Sequence, residues 1–249
     1  MENKSNFTGV RVEFEDDNII VVYKPAGVLS QRDKTGEDSI VEFVKDHLTK
    51  KGVQDVYAGL VHRIDRPVAG LLVIGKNKRA TELISRLFKR DRVRKKYSAI
   101  VFGKLDKSKG ELKHFLLERE SETTLAFDKD PKDHKKYKEA VLEYEVVGSG
   151  QYHDIDAFDK AMSLVSVRLI TGRKHQIRAQ FSAIGHPIVG DSRYFTQKGP
   201  IKEKMLKCNF LPWGEIALCA NYISFPHPLD NGKIIEVKTD LPDHWIKIY

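Results

Sequence analysis

Cysteine is nearly absent from this chain. Cys208 and Cys219 are the only two in 249 residues, and they form no CxxC pair. That argues against a disulfide framework and a cysteine-based zinc site. Cys219 lies within EIALCANYISF and reads as a small core residue. Long apolar runs are also missing. No stretch is long enough to span a bilayer as a helix. The opening MENKSNFTGVRVEFEDDN has none of the apolar core of a signal peptide, so the expected setting is cytoplasmic. There is no P-loop, no GxGxxG after the first strand and no GxSxG elbow. No set of histidines and cysteines has metal-ligand spacing. His62 and His175 are isolated and read as structural hydrogen-bonding residues. The expectation is a protein that works without metal or cofactor.

What is present is positive charge and strand pattern. Lys and Arg number 43 against 35 Asp and Glu, a net charge of +8. That excess suits a polyanionic partner such as nucleic acid without requiring one. RVEFEDDNIIVVYKPAG reads as two strands around the acidic turn Glu15 to Asn18. IIVVY is apolar enough to be buried on both faces, and Pro25 and Gly27 then break the strand. DSIVEFVKDHLTKKG reads as a helix capped by Asp38 or Ser39. NKRATELISRLFKRDRV reads as a second, with Ala80, Leu83, Ile84, Leu87 and Phe88 on one face. AGLLVIGK, KKYSAIVFGK, KEAVLEYEVV, SLVSVRLIT, EIALCANYISF and KIIEVKT read as strands. Ala140, Leu142, Tyr144 and Val146 share one side of theirs. GRKHQIRAQFSAIG reads as a helix capped by Thr171, with Ile177, Phe181 and Ile184 inward and Gly185 at its end. PDHWIKIY reads as a short closing helix. FDKDPKDHKKYK and GSGQYHDIDAFDKA read as exposed loops. Strands outnumber helices and follow hairpin spacing, so the predicted fold is α+β. Its core is a mixed, largely antiparallel sheet with flanking helices, in a single domain over residues 1–249.

Two basic motifs stand out, HRIDRPVAG (62–70) and TGRKHQIRAQ (171–180). The first holds Asp65 between Arg63 and Arg66. Taken alone, an acid between two arginines on a turn is a solvated ion pair. The order VVYKPAGVLSQ, VHRIDRPVAGLLVIGKN, KKYSAIVFG, LITGRKHQIRAQFSAIGHPIVGDSRY resembles the RluA-type family of RNA pseudouridine synthases, over nearly the whole chain. The resemblance implies a pseudouridine synthase-like fold with an active-site cleft across the sheet. It also implies isomerisation of uridine within ribosomal or transfer RNA.

By that resemblance Asp65 is the reacting carboxylate. Three routes stay open: attack on the ribose carbon, attack on the uracil ring, or abstraction of a sugar proton. All need a positioned, ionised carboxylate. Burial raises a carboxyl pKa and a nearby guanidinium lowers it, so a buried nucleophilic aspartate calls for an arginine partner. The family motif implies Arg178 for that part; its plainer reading is a surface phosphate contact. Arg63 is implied as the group that takes the space of a flipped-out uridine, against a plain structural ion pair. Tyr97 is implied to pack against the uracil, with its hydroxyl near the carbon 5 proton. A phenol ionises near ~10 and is a weak base at neutral pH, so the packing part is the firmer one. Lys96 and Arg173 are expected to contact RNA, within a basic group that includes Arg90, Arg92, Arg94, Lys95 and Lys174. The individual default for each is a solvated charge. Pro187, Gly190, His186 and Asp191 of GHPIVGD are expected to form a structural turn. Arg66 has no assigned part.

The first core strand is expected to begin by about Val10, so the small RNA-binding domain many relatives carry is not expected ahead of it. RNA selection is then expected from the core's own loops, near Arg92 and from Phe127 to Lys138, or from a partner protein. Ile64 and Ala69 stand where other members often carry Leu and Ser, both mild changes. The expected partner is RNA, with no membrane and a monomeric chain. Two other classes compete. One is a catalytically silent RNA-binding or ribosome-assembly factor on the same fold, which has no need of Asp65. The other is a nucleoside or glycoside hydrolase, which needs a second carboxylate that no motif supplies.

Overall fold

A computed structural model describes residues 7–119, 123–129, 131, 133, 135–151, 161–195, 211–212 and 214–248. In chain order the elements are β1 (Arg11–Glu15), β2 (Ile19–Lys24), α1 (Ile40–Lys50), β3 (Gly59–Leu60), β4 (Ala69–Gly75), α2 (Lys78–Lys89) and β5 (Arg94–Phe102). Then come β6 (Lys109–Glu118), β7 (Thr124–Phe127), β8 (Tyr137–Gln151), β9 (Ala161–Leu169), α3 (Gln176–Ala183), β10 (Leu218–Pro226), β11 (Ile234–Lys238) and a 3₁₀ helix (Asp243–Ile248). The strand pairing is mixed and mostly antiparallel, an α+β fold as the strand-rich sequence predicts. The elements fall into two compact units. One comprises Met1–Lys95 and Ala220–Asp240, the other Lys96–Cys219 and Leu241–Tyr249.

The first unit is built on β2 and β4. Every residue of both strands is buried, which matches their unbroken apolar runs. They pair antiparallel, with Ile19 opposite Gly75 and Lys24 opposite Gly70. Strand order is β1-β2-β4-β10, with β3 against β4 and β11 against β10. Ile19, Val21, Leu71 and Val73 cluster with Ala80 and Ile84 of α2 and with Ile223, Phe225, Ile235 and Val237. Each Val, Leu, Ile and Phe side chain among them contributes about 1.5–3 kcal/mol by leaving water. Helix α2 starts where the Asn77 side chain accepts the Ala80 N–H at 2.8 Å. Helix α1 starts after Ser39, whose hydroxyl donates to Glu42 rather than capping the backbone. Gly70 sits at φ +127°, and a Cβ there would lie 2.4 Å from the backbone of Ala220, so this position of the VAG motif requires glycine.

The second unit is an antiparallel sheet in the order β5-β9-β8-β6-β7. Strands β6 and β7 are absent from the sequence-level strand set. Burial alternates along GELKHFLLE of β6, but charged and histidine positions dilute the pattern. Register defines two faces. Tyr97 lies opposite Val167, which lies opposite Tyr144. Lys96 lies opposite Arg168, which lies opposite Glu143. Helix α3 covers the Tyr144 face: Phe181 meets the Tyr144 ring edge-on at 5.8 Å, and Ala179 packs with Leu116 and Ala140. Gln180 pins it there, its amide donating to the carbonyls of Leu112 and Ala140 at 3.0 and 3.2 Å.

The start of α3 differs from expectation. Thr171 does not cap it; the helix begins at Gln176, after His175 in a left-handed turn at φ 53°. The Gln176 side chain organises the preceding loop. Its Oε1 accepts from the Arg173 N–H and the Thr171 hydroxyl, and its Nε2 donates to Val141 O. Thr171 Oγ1 accepts the Val141 N–H at 2.9 Å, so it serves the sheet. Gly185 ends the helix at φ +82°, as predicted. Cys219 is buried; Cys208 lies outside the described residues. Residues 148–151, expected as loop, extend β8, while 152–160 lie outside the described residues.

Candidate active site

Asp65 sits in the loop between β3 and β4, half-buried, in the first unit. Its loop is tied down at nearly every residue. The Ser30 hydroxyl donates to Ile64 O at 2.8 Å and accepts the Ile64 N–H at 3.3 Å. The Asp65 carbonyl accepts the Val68 N–H at 3.0 Å, closing a turn over Arg66 and Pro67. Arg66 O accepts the Gly27 N–H at 2.8 Å. Lys24, at the end of β2 and fully buried, donates to the carbonyls of Pro25, Val28 and Arg66 at 3.0, 2.8 and 3.2 Å. The KPAG turn is thereby fused to the Asp65 loop through one ammonium group. A buried lysine must satisfy its charge and donors, and three carbonyl dipoles go far towards that.

The two arginines beside Asp65 differ. Arg66 turns to Glu37 with two hydrogen bonds, Nη1 to Oε1 at 2.9 Å and Nη2 to Oε2 at 2.6 Å, and its Nε donates to Gly27 O at 2.9 Å. Its part is to brace the loop. Arg63 is exposed. His62 is structural: Nε2 accepts the Val73 N–H at 3.1 Å and the ring stacks on Phe88 at 4.5 Å. Burial, and then the nearby Lys95 charge, pull its pKa down to about 3, so it is neutral at pH 7.

In the second unit, Arg178 lies in the first turn of α3. Its Nε donates to Asp191 Oδ2 at 2.6 Å and its Nη2 to Asp191 Oδ1 at 2.9 Å, with 5% and 1% of the two side chains exposed. The plainer reading of Arg178, a surface phosphate contact, is therefore wrong on burial alone. The Tyr194 ring lies 4.8 Å from the guanidinium carbon. Tyr194 Oη accepts the Thr124 N–H at 2.7 Å and lies 2.8 Å from His175 Nδ1, so β7 and the start of α3 are held to the same ring. Burial raises the Tyr194 pKa despite the Thr124 hydrogen bond, and the phenol stays neutral.

The sheet register separates two of the predicted residues, Tyr97 and Lys96. Tyr97 shares a face with Val167 and Tyr144, the face that α3 covers. Lys96 points to the opposite face. There it lines a shallow depression of about 410 Å³ with Lys109, Glu143, Glu145 and Arg168. Arg168 is paired bidentately with Glu143 and Lys109 with Glu145, so the depression is charge-balanced, not a cationic groove. Arg173 is exposed, its Nε donating to Glu139 O at 3.1 Å. Sequence reasoning missed Asp191 as a partner of Arg178, and Lys24, Ser30 and Glu37 as braces. The available signals were an acid in the apolar turn PIVGD and a lysine closing the apolar run IIVVYK. Among the described residues, no three His, Cys, Asp or Glu side chains gather to hold a metal. No described helix is long and apolar enough to cross a membrane.

A family model described as RNA pseudouridylate synthase matches residues 18–183, a span that includes Asp65, Tyr97 and Arg178. The chain belongs to that family and is of RluA type. It is an RNA pseudouridine synthase, an isomerase. It is 28% identical to "Ribosomal large subunit pseudouridine synthase D" of Borreliella burgdorferi, across 78% of this chain and 57% of that one. It is 27% identical to "tRNA pseudouridine synthase C" of Yersinia pestis, across 95% of this chain and 88% of that one. The solved structure of "Human RNA Pseudouridylate Synthase Domain Containing 1" superposes with a TM-score of 0.74, over 99% of this chain and 89% of that one. At 23% identity this last likeness concerns the fold.

Proposed function

We propose that the chain isomerises uridine to pseudouridine in structured ribosomal or transfer RNA, with Asp65 as the reacting carboxylate. The bond from uracil N1 to the ribose breaks. The base turns, carbon 5 bonds to the ribose, and the carbon 5 proton leaves as N1 gains one. No oxidant, reductant or external group enters the balance. The observation that carries the reading is the bracing of the Asp65 loop by Ser30, Lys24 and Gly27. A reacting carboxylate needs a fixed position, and a loop bonded at Ile64, Asp65 and Arg66 supplies it.

By its place in the family motif, Arg178 takes the part of partner to the reacting carboxylate. Tyr97 packs against the uracil, which its sheet face beside α3 favours. Arg63, exposed and two residues before Asp65, fills the space the uridine vacates when it leaves its stack, a step that costs about a few kcal/mol. Arg173 contacts the RNA backbone at the start of α3. Lys96 lies on the other sheet face, so its RNA contact is to a different part of the substrate from the one Tyr97 covers. The names of the relatives support ribosomal and transfer RNA as substrate classes.

The test is to map pseudouridines in ribosomal and transfer RNA of cells lacking the gene, complemented with wild type or with Asp65→Asn. The reading expects one or more sites lost in the deletion and restored by wild type alone. A deletion with an unchanged map overturns it. Rescue of growth by Asp65→Asn without restored sites would make RNA binding the part that matters to the cell.

A further inference from the structure

We propose that Asp191 is a positioning residue for the reaction, acting through Arg178. The proposal rests on the reading of Arg178 as partner of the reacting carboxylate. Arginine carries five N–H donors on one rigid plane. Asp191 takes two of them, on Nε and Nη2, along a single edge of that plane. A bidentate pair of this kind fixes both where the fork sits and how its plane is turned. The remaining N–H groups, on Nη1 and the second of Nη2, are directed away from Asp191.

Asp191 is itself held from several sides. Its N–H donates to Ile188 O at 3.1 Å and its carbonyl accepts the Tyr194 N–H at 3.3 Å. The preceding Gly190 adopts φ +83°, and a Cβ there would stand 2.7 Å from Glu215 O. Glu215 is anchored in turn, accepting from Trp245 Nε1 at 3.0 Å and lying 2.8 Å from His244 Nε2. The turn carrying Asp191 is thus wedged against a segment that the C-terminal 3₁₀ helix clamps. Tyr194, three residues on, lays its ring beside the guanidinium.

Stability alone is a weak reason for this arrangement. A buried ion pair of this size is often matched or exceeded by a well-packed apolar pair. What the pair supplies is a guanidinium locked in one orientation, with two of its five donors committed and the direction of the other three preset. Misplacing a catalytic group by about 1 Å is enough to cost on the order of a hundredfold in rate.

The test uses the full chain and deproteinised total RNA from cells lacking the gene, with initial rates of pseudouridine formation measured against RNA concentration. The variants are Asp191→Asn, Asp191→Glu, Arg178→Gln, the Arg178→Gln/Asp191→Asn double and Asp65→Asn. Asp191→Glu keeps the charge but moves it by one methylene. The double leaves no buried charge unpaired, so these two carry the test if Asp191→Asn alone does not fold. The proposal expects both Asp191 substitutions to lower kcat by about ten- to a hundredfold with KM within about threefold of wild type. It expects the double to match Arg178→Gln within about threefold, because Asp191 acts only through that residue. Wild-type kcat in Asp191→Glu overturns the proposal, and so does a double slower than Arg178→Gln by the full Asp191→Asn factor. An active Asp65→Asn overturns the underlying reading, and the proposal with it. An inactive Asp65→Asn beside a fully active Asp191→Glu overturns the proposal alone.

Discussion

The Lys24 ammonium reaches the carbonyl of Arg66 at 3.2 Å, across 42 positions of sequence, and joins the end of β2 to the loop that bears Asp65. The same nitrogen holds Pro25 O and Val28 O. Replacing it with methionine keeps the stem and deletes the donors, so Pro25 O and Val28 O lose this partner while Arg66 O keeps the Gly27 N–H. Lys24→Met is expected to lose about 2–3 kcal/mol of stability. Amide exchange over residues 64–68 should quicken as well. A urea melt and hydrogen exchange read both; an unchanged midpoint would count against the bracing role.

Arg63 and Arg66 should separate in function. Arg66 is committed to Glu37 and Gly27 on the surface. Exposed pairs contribute little, so Arg66→Ala is expected to cost about 1 kcal/mol or less of stability. Its kcat should stay within about threefold of wild type, a change of well under 1 kcal/mol in the barrier. Arg63→Ala should lower the rate on folded RNA by about tenfold or more, and by less on an unstructured oligonucleotide, where no stack has to be opened. Equal loss for both arginines, or equal loss on both substrates, would contradict the assignment.

Acid should destabilise the first unit in two stages. His62 is held near 3 by burial and the Lys95 charge, against 6.5 ordinarily. The unfolded chain therefore binds the extra proton first, and stability falls as pH drops from about 6.5 towards 3. For Glu15, burial pushes the pKa up, but hydrogen bonds from Lys51, Lys76 and His47 outweigh it and hold it at about 2, below the usual 4.5. Its contribution is complete above 4.5 and is lost between there and 2. After solvent screening of this surface cluster it amounts to roughly 1–2 kcal/mol. Glu15→Gln should remove the lower stage alone, and an NMR titration should find the His62 ring unprotonated down to pH 5. A His62 pKa near 6.5 would refute the first stage.

Much of this molecule can be read from its sequence where burial is uniform. IIVVYK and AGLLVIG are apolar throughout and are strands buried along their whole length. Asn77 and the 80/84/87/88 stripe mark α2. Where order comes from side chains reaching backbone at a distance, local pattern gives no warning. Thr171 has the look of a helix cap, yet Val141, 30 residues away, claims its hydroxyl. Strands β6 and β7 carry His114 and Thr124 inward because Gln180, Tyr194 and Lys174 O supply partners that no local window contains. The site divides in the same way. Asp65, Tyr97 and Arg178 are proposed from motifs, whereas Asp191 needs its contact with Arg178 to be seen, since on sequence alone it is one acid in a turn.

The central claim is that the Asp65 carboxylate does the chemistry. The measurement is single-turnover pseudouridine formation on deproteinised RNA from cells lacking the gene, comparing wild type with Asp65→Asn at matched RNA binding. The substitution keeps the size of the side chain and removes its charge. The account predicts a loss of at least about 10⁴-fold, or about 5.5 kcal/mol of barrier, with RNA affinity within about threefold, a difference of well under 1 kcal/mol. Formation by Asp65→Asn at the wild-type rate would contradict it.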